Sequence, residues 1–282
     1  MQVLTNIYSL NQLLDNYRIS NKSIGFVPTM GALHEGHISL VKLAQKDCDV
    51  VVCSIFINPT QFNDPNDLEN YPVTIEEDIK LLEEQYCDIL FLPNVTEMYP
   101  QGLNTEQYQL NGIDKVLEGR KRPGHFDGVC TIVHRLFSIV KPNTTYFGEK
   151  DFQQVVVIRQ MVNNLSLPIQ IKTGKTIREK DGLAKSSRNT LLSVTQRQKA
   201  ANVYASLQKI KSLYGKVDCP QLKEMIKDDI KQVQDMRLDY IEIVNPHSFR
   251  PLQGKDNNEE AVALIAVFLG KVRLIDNLSL ND

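Results

Sequence analysis

Two of the chain's five histidines, His34 and His37, stand three residues apart with Gly36 between them, in the stretch PTMGALHEGH. The stretch follows an apolar run, Ile24 to Val27, and leads into ISLVKLAQK, whose apolar spacing is helical. Glycine at such a turn lets backbone approach a ligand closely. A helix start beyond it adds free N–H groups and the positive end of a dipole. Two imidazoles beside that dipole make a compact anion site, suited to a phosphate whose charge builds during transfer. The i, i+3 spacing is not that of a His-Glu-x-x-His zinc helix, although Glu35 lies between the two rings.

Two further stretches carry groups of the right kind. In FGEKDFQQ, Gly148 closes a strand-like run, Lys150 supplies a point charge, and Asp151 can cap a helix or accept from a hydroxyl. Gln154 lies one helical turn on and shares their face. Taken alone, an Asp at a helix start is an ordinary cap. In REKDGLAKSSRNT, Lys185, Ser186, Ser187 and Arg188 offer two cations and two hydroxyls behind Gly182. A flexible segment of that kind can close over a polyphosphate, and a solvated loop between domains has the same composition.

The elements that must position these groups alternate. Residues 23–29, 49–58, 87–93, 144–148 and 168–173 read as buried strands, with helical spacing at 38–46, 75–85, 129–140 and 151–164. Alternation predicts an α/β fold, a Rossmann-like doubly wound parallel sheet whose crossovers bury helices on both faces. Such sheets bind ligands outside the carboxyl ends of their strands, which is where the polar stretches fall. After Thr176 the pattern becomes helices, then strands. A long helix is predicted over 193–215, opened by Ser193 or Thr195, and a second over 220–234. Strands follow at 236–245, 259–270 and 271–278, with QGKDNNEE as a turn. The expected division is residues 1–176 as the larger domain and 177–282 as a smaller α+β domain.

Composition narrows the function. Thirty-two Lys and Arg against 34 Asp and Glu leave a formal charge of −2, so no electrostatic footprint for nucleic acid or an anionic membrane exists. The apolar tract at 261–270 is too short to span a bilayer, and the N-terminus lacks a signal-peptide pattern. Five cysteines with no Cys-x-x-Cys pair read as apolar fillers in a reducing compartment. A cytoplasmic protein is expected.

PTMGALHEGH, FINPTQF, RPGHFDGV, FGEKDFQQ and KSSRN, in this order and spacing, resemble the pantoate–β-alanine ligase family. That family lies within the adenylate-forming nucleotidyltransferases that use a His-x-Gly-His turn. The resemblance runs from about Gly25 to Asn189. It implies joining of pantoate to β-alanine through a pantoyl adenylate, with ATP as substrate, Mg2+, a homodimer, and release of AMP and pyrophosphate. It implies that the first domain binds nucleotide and pantoate and that the second closes over the ATP site.

Carried over residue by residue, Met30, Gly31, Ala32, Leu33, His34, Glu35, Gly36 and His37 would wrap ATP, with both histidines on its phosphates. Gly148, Glu149, Lys150 and Asp151 would hold adenosine and phosphate. Ile177 would meet the base, and Lys185, Ser186, Ser187 and Arg188 the pyrophosphate. Gln61 would bind pantoate and β-alanine, and Gln154 pantoate. His37, His34 and Lys150 would be the catalytic groups. Arg122, His125, Asn58 and Tyr71 would contribute behind them. Glu77 and Asp78 would be magnesium-side carboxylates, although an exposed acidic helix run reads the same. Position 185, often Met in the family, is Lys here, which leaves open whether it acts by side chain or backbone. Three rivals share parts of this pattern: a transferase using CTP or ATP, a tRNA synthetase, and a nucleotide-binding regulator without turnover.

Overall fold

The run Val50–Ile55 is apolar and β-branched, and all of its side chains are buried. A strand covered on both faces belongs inside a sheet with a layer on either side. In the computed structural model, which describes residues 1–256 and 258–281, that sheet has six parallel strands. They are β1 (Gln2–Leu4), β2 (Ile24–Thr29), β3 (Val50–Ile55), β4 (Ile89–Phe91), β5 (Thr144–Gly148) and β6 (Gln170–Gly174), in the spatial order β1-β4-β3-β2-β5-β6. Val27, Val51, Cys53, Leu90 and Tyr146 pack with Ile38, Val41 and Ala44 of helix Glu35–Asp47 and with Leu82 of helix Ile75–Glu84. Strand alternation turns Phe26 and Val52 to the opposite face, and helix His125–Val140 also packs against β2. The sheet is doubly wound.

The chain builds outward from β2 through β3 and β4, then returns to the other side of β2 with β5 and β6. The order therefore reverses between β2 and β5, which pair in parallel at Gly25 and Thr144. A ligand crevice opens outside the carboxyl ends of the strands at such a reversal. Those ends are Thr29 and Gly148.

The C-terminal strands β7 (Met236–Val244), β8 (Val262–Leu269) and β9 (Val272–Ser279) form an antiparallel sheet in that order. Helices Asn202–Leu213 and Cys219–Lys231 bury Val203, Leu207, Leu222 and Ile226 against Ile241, Ala263 and Ile265. By internal contacts the chain forms two units: Met1–Glu149 with Gln153–Lys175, and Lys150–Phe152 with Thr176 onward. The second unit thus includes three residues from the turn that leads from β5 into helix Phe152–Asn164.

One local expectation changes. The helix expected over 193–215 is two, Val194–Ala200 and Asn202–Leu213. At the joint the Asn202 amide donates to the Lys199 carbonyl at 2.8 Å, taking an acceptor that an unbroken helix would use. Ser193, one of the two candidate caps, opens the first of them through a reciprocal box with Gln196. Strand β1 and helix Ile7–Ile19 were not singled out, since three residues give too short a period to read. In the turn expected over 253–260, Asn257 lies outside the described residues.

Candidate active site

Helix Glu35–Asp47 begins at the carboxyl end of β2, and His34 is its cap. The His34 Nδ1 accepts the Gly36 N–H at 3.1 Å, and the His37 Nδ1 accepts the His34 N–H at 3.3 Å. The two imidazoles thereby form a reciprocal capping box in place of the usual Ser and Glu. A backbone N–H only donates, so Nδ1 of each ring carries the lone pair and the proton of the neutral ring sits on Nε2. The rings lie 4.1 Å apart between centroids, tilted by 35°. The result is a pair of neighbouring imidazoles with fixed tautomers, each with its proton on Nε2.

Gly36 has a role other than close approach to a ligand. A Cβ there would stand 2.8 Å from Cε1 of His34 and 2.9 Å from its Nδ1, so the glycine makes room for the folded-back ring. Ahead of it, Gly31 and Ala32 both take left-handed backbone, at φ 83° and 47°. Glycine does so freely, and alanine only under constraint.

The constraint on Ala32 is Asp78. Its carboxylate accepts the Ala32 N–H at 2.8 Å, the Leu33 N–H at 2.7 Å and the Thr74 hydroxyl at 3.1 Å, and the residue is 1% exposed. Asp78 thus pins the loop that delivers His34. Glu77 points elsewhere and is exposed. Of the two carboxylates expected on the magnesium side, Asp78 is committed to backbone donors and Glu77 faces solvent. Among the described residues no three His, Cys, Asp or Glu side chains converge as a metal site.

The turn Pro59–Gln61 follows β3, and helix His125–Val140 seats against it. Gly128 permits the contact, since a Cβ there would lie 2.3 Å from the Thr60 carbonyl oxygen. The Gln61 carbonyl accepts from His125 Nδ1 at 2.7 Å and from Arg122 at 3.3 Å, while Arg122 also donates to His125 Nε2 at 3.1 Å. This leaves His125 neutral with its proton on Nδ1, the opposite tautomer to His34 and His37.

Asn58, 1% exposed, donates to the Gly128 carbonyl at 3.2 Å and to the Gln61 side-chain oxygen at 3.4 Å. Its own oxygen accepts from Tyr99 at 2.7 Å and Thr60 at 3.1 Å. Burial holds the Tyr99 hydroxyl above the ordinary phenol range, so it stays a donor. With the Gln61 oxygen engaged by Asn58, its NH2 points to the Met30 sulfur. Met30 and Gln61, from two separate stretches, therefore meet. Tyr71 is buried edge-on against Phe62 at 5.7 Å. Gln154 is half-buried on helix Phe152–Asn164. Gly148 ends β5 opposite Gly174, and Glu149 accepts from the Thr173 hydroxyl at 3.0 Å.

In the second unit Ile177 and Lys185 close a hairpin. The Lys185 N–H donates to the Ile177 carbonyl at 2.9 Å, and Glu179 N–H to the Leu183 carbonyl at 2.8 Å. The segment expected to be flexible is instead held along its length. The Lys185 ammonium lies 3.6 Å from Glu179, so its side chain already balances a carboxylate. Ser186 caps the 3-10 turn Ser187–Leu191, accepting the Arg188 N–H at 3.3 Å. Lys150 is 3.8 Å from its neighbour Asp151. Tyr99 was missed from the sequence because its partner Asn58 lies 41 residues away. Asp78 had a readable signal: with Ile75, Ile79 and Leu82 it occupies the inward stripe of its helix.

A parallel sheet reversing at β2 and β5, with paired imidazoles capping the helix at that crevice, defines an α/β enzyme of the nucleotide-binding class. The chain belongs to the pantoate–β-alanine ligase family, whose model matches residues 2–279. It is 44% identical over 281 residues to a pantothenate synthetase of Thermosipho melanesiensis, covering 99% of both chains. To one of Porphyromonas gingivalis it is 42% identical over 282 residues, covering 100% of both. Among solved structures it is similar to pantothenate synthetase from Thermus thermophilus, with a TM-score of 0.93, 39% identity and full coverage of both chains. A pantoate–β-alanine ligase from Francisella tularensis, complexed with β-γ ATP and β-alanine, matches with a TM-score of 0.83 and 39% identity, over 99% of this chain and 98% of that one.

Proposed function

We propose that this chain ligates pantoate to β-alanine by way of a pantoyl adenylate, and that His34, His37 and Lys150 stabilise the charge developing on phosphate. The ATP-dependent ligation itself, giving pantothenate, is the activity of its family. A carboxylate is a poor electrophile at neutral pH. In the first step a pantoate carboxylate oxygen attacks the α-phosphorus of ATP, and the bond to the β-phosphate oxygen breaks, releasing pyrophosphate. In the second the β-alanine amine attacks the acyl carbon, loses a proton, and expels AMP with the carboxylate oxygen attached. Neither step needs a bond to the protein, so catalysis is positioning and electrostatics.

The observation that carries this reading is the reciprocal histidine cap. With Nδ1 of each ring occupied by backbone, the Nε2–H groups are preorganised donors for an anion. Carboxylate attack consumes no proton, so these rings act as hydrogen-bond donors and not as acids. Met30 to Leu33, Glu35 and Gly36 form the backbone wall of the ATP site. Gly148, Glu149 and Asp151 take the adenosine, Asp151 accepting from a ribose hydroxyl, and Ile177 meets the base.

Lys150 neutralises phosphate, and Ser186, Ser187 and Arg188 draw off pyrophosphate. The Lys185 contribution is through its backbone, given the pairing of its ammonium with Glu179. The Gln61 NH2 is a donor for pantoate and lies beside β-alanine, and Gln154 binds pantoate. Mg2+ enters as the counter-ion of ATP. A working homodimer in the cytoplasm belongs to the same reading, and sedimentation of the pure protein tests the dimer.

The test is product analysis with ATP, magnesium, pantoate and β-alanine, omitting each in turn. AMP and pyrophosphate in equal amounts, with pantothenate and beyond one per enzyme molecule, only when both organic substrates are present support the proposal. A requirement for CTP or another acceptor contradicts it, as does ADP as product.

A further inference from the structure

Two consecutive polar residues on β9, Asp276 and Asn277, are 3% and 8% exposed in a strand that gives Val272 and Leu274 to the apolar core. Asp276 takes both arms of the Arg178 guanidinium, at 2.6 and 3.0 Å. Arg178 also donates to the carbonyls of Gly182 at 3.1 Å and Asn277 at 3.3 Å, and lies 3.9 Å over the ring of Tyr204. Arg178 is the second residue of the hairpin that runs from Ile177 to Lys185, so this fork fixes the hairpin to β9. A buried carboxylate is retained only with strong partners, and a forked Arg pair is the geometry that holds direction as well as charge. The hairpin is held at its far end too, where Asp181 accepts from Arg197 at 2.6 and 3.1 Å.

Asn277 reaches a different segment. Its side-chain amide donates to the Lys150 carbonyl at 2.9 Å, while its own N–H bonds the Asp276 carboxylate at 2.8 Å. Lys150, though it follows β5 in sequence, is thereby tied to the same strand as the Arg178 hairpin.

We propose that Asn277 and Asp276 are positioning residues for adenylate formation, holding the Lys150 backbone and the 177–185 hairpin as one body. The cations that meet the phosphates then keep a fixed spacing. This rests on the reading of Lys150 as a phosphate-binding group. Asp276 and Asn277 act through other residues and touch no substrate themselves.

A double-mutant cycle on the full chain tests it, read by pantoate-dependent ATP–pyrophosphate exchange in wild type, Asn277→Asp, Lys150→Ala and the double variant. Asn277→Asp keeps the shape but replaces the NH2 donor by an oxygen. A misplacement of Lys150 lowers exchange by roughly tenfold to a hundredfold. In the Lys150→Ala background the same change costs less than about twofold, because the group it positions is gone. Equal losses in both backgrounds, or none in the wild type, overturn the proposal. Normal exchange by Lys150→Ala instead overturns the assignment of Lys150 itself. Thermal melts check folding, and if Asn277→Asp unfolds, Asn277→Ser, too short to reach the Lys150 carbonyl, takes its place in the cycle. Arg178→Lys, which keeps charge but loses the fork, raises the pyrophosphate KM several-fold. An unchanged KM removes Asp276 from the proposal.

Discussion

Asp78 and Leu33, 45 residues apart in sequence, are joined by a 2.7 Å hydrogen bond from backbone N–H to carboxylate. Because Ala32 binds the other oxygen of the same group, one buried side chain fixes two successive peptide units ahead of His34. Asp78→Ala takes the carboxylate acceptor away from both N–H groups, each loss costing about 1–3 kcal/mol. The expected result is a large drop in Tm with loss of turnover. Asp78→Asn keeps one acceptor and tests the alternative of a metal ligand. Its magnesium concentration for half-maximal activity stays that of the wild type while kcat falls, and a markedly raised magnesium requirement contradicts the anchoring role.

The histidine cap makes a paired prediction. His37→Ala removes one transition-state donor and lowers kcat by roughly a hundred- to a thousandfold, with circular dichroism unchanged. Gly36→Ala leaves both histidines in the sequence but pushes the His34 ring out of its place. Losing that cap costs about 1 kcal/mol of stability, and kcat falls while the pantoate KM does not move. Wild-type turnover by Gly36→Ala shows that the cap does not set the ring's catalytic position.

At the Gln61 turn the critical contact is between backbones. A methyl group at position 128 meets the Thr60 carbonyl, so Gly128→Ala destabilises by about 1–3 kcal/mol and displaces Gln61. Calorimetry and kinetics then show a lower Tm and a raised pantoate KM, with the ATP dissociation constant unchanged.

Much of this arrangement is legible in the chain itself, for definable reasons. The alternation of buried strands with amphipathic helices specifies the parallel sheet, and the polar stretches after β2, β3 and β5 mark its ligand end. Gly36 and the two histidines stand out by spacing. What the sequence conceals is long-range partnership. The inward place of Asp78 is readable from its helical spacing, but the loop on another element that it answers to is not. Asn277 and Lys150 lie 127 residues apart with no local signal linking them. Ala201 gives no hint that Asn202 breaks the helix beside it, since the competing hydrogen bond depends on a side-chain geometry that periodicity does not encode.

The cysteines supply a test far from the nucleotide. Burial pushes the Cys87 thiol up to about 11 and the Cys130 thiol up to about 12, and holds Cys53 and Cys219 above the usual thiol range. The reactive form is the thiolate, so these four are protonated and shielded at pH 8. Cys48 is half-buried. Mass spectrometry after brief alkylation of the native protein shows adduct at Cys48 alone, and at all five cysteines in urea. Rapid native labelling of Cys87 or Cys130 contradicts the buried placement.

The central claim, attack of the pantoate carboxylate on the α-phosphorus of ATP, is tested most directly by oxygen tracing. Pantoate labelled with 18O in its carboxylate is turned over with unlabelled ATP and β-alanine, and the products are weighed by mass spectrometry. The account predicts one labelled oxygen in AMP, one retained in pantothenate, and none in pyrophosphate. AMP free of label contradicts it, because the carboxylate oxygen would then never have bonded to the α-phosphorus.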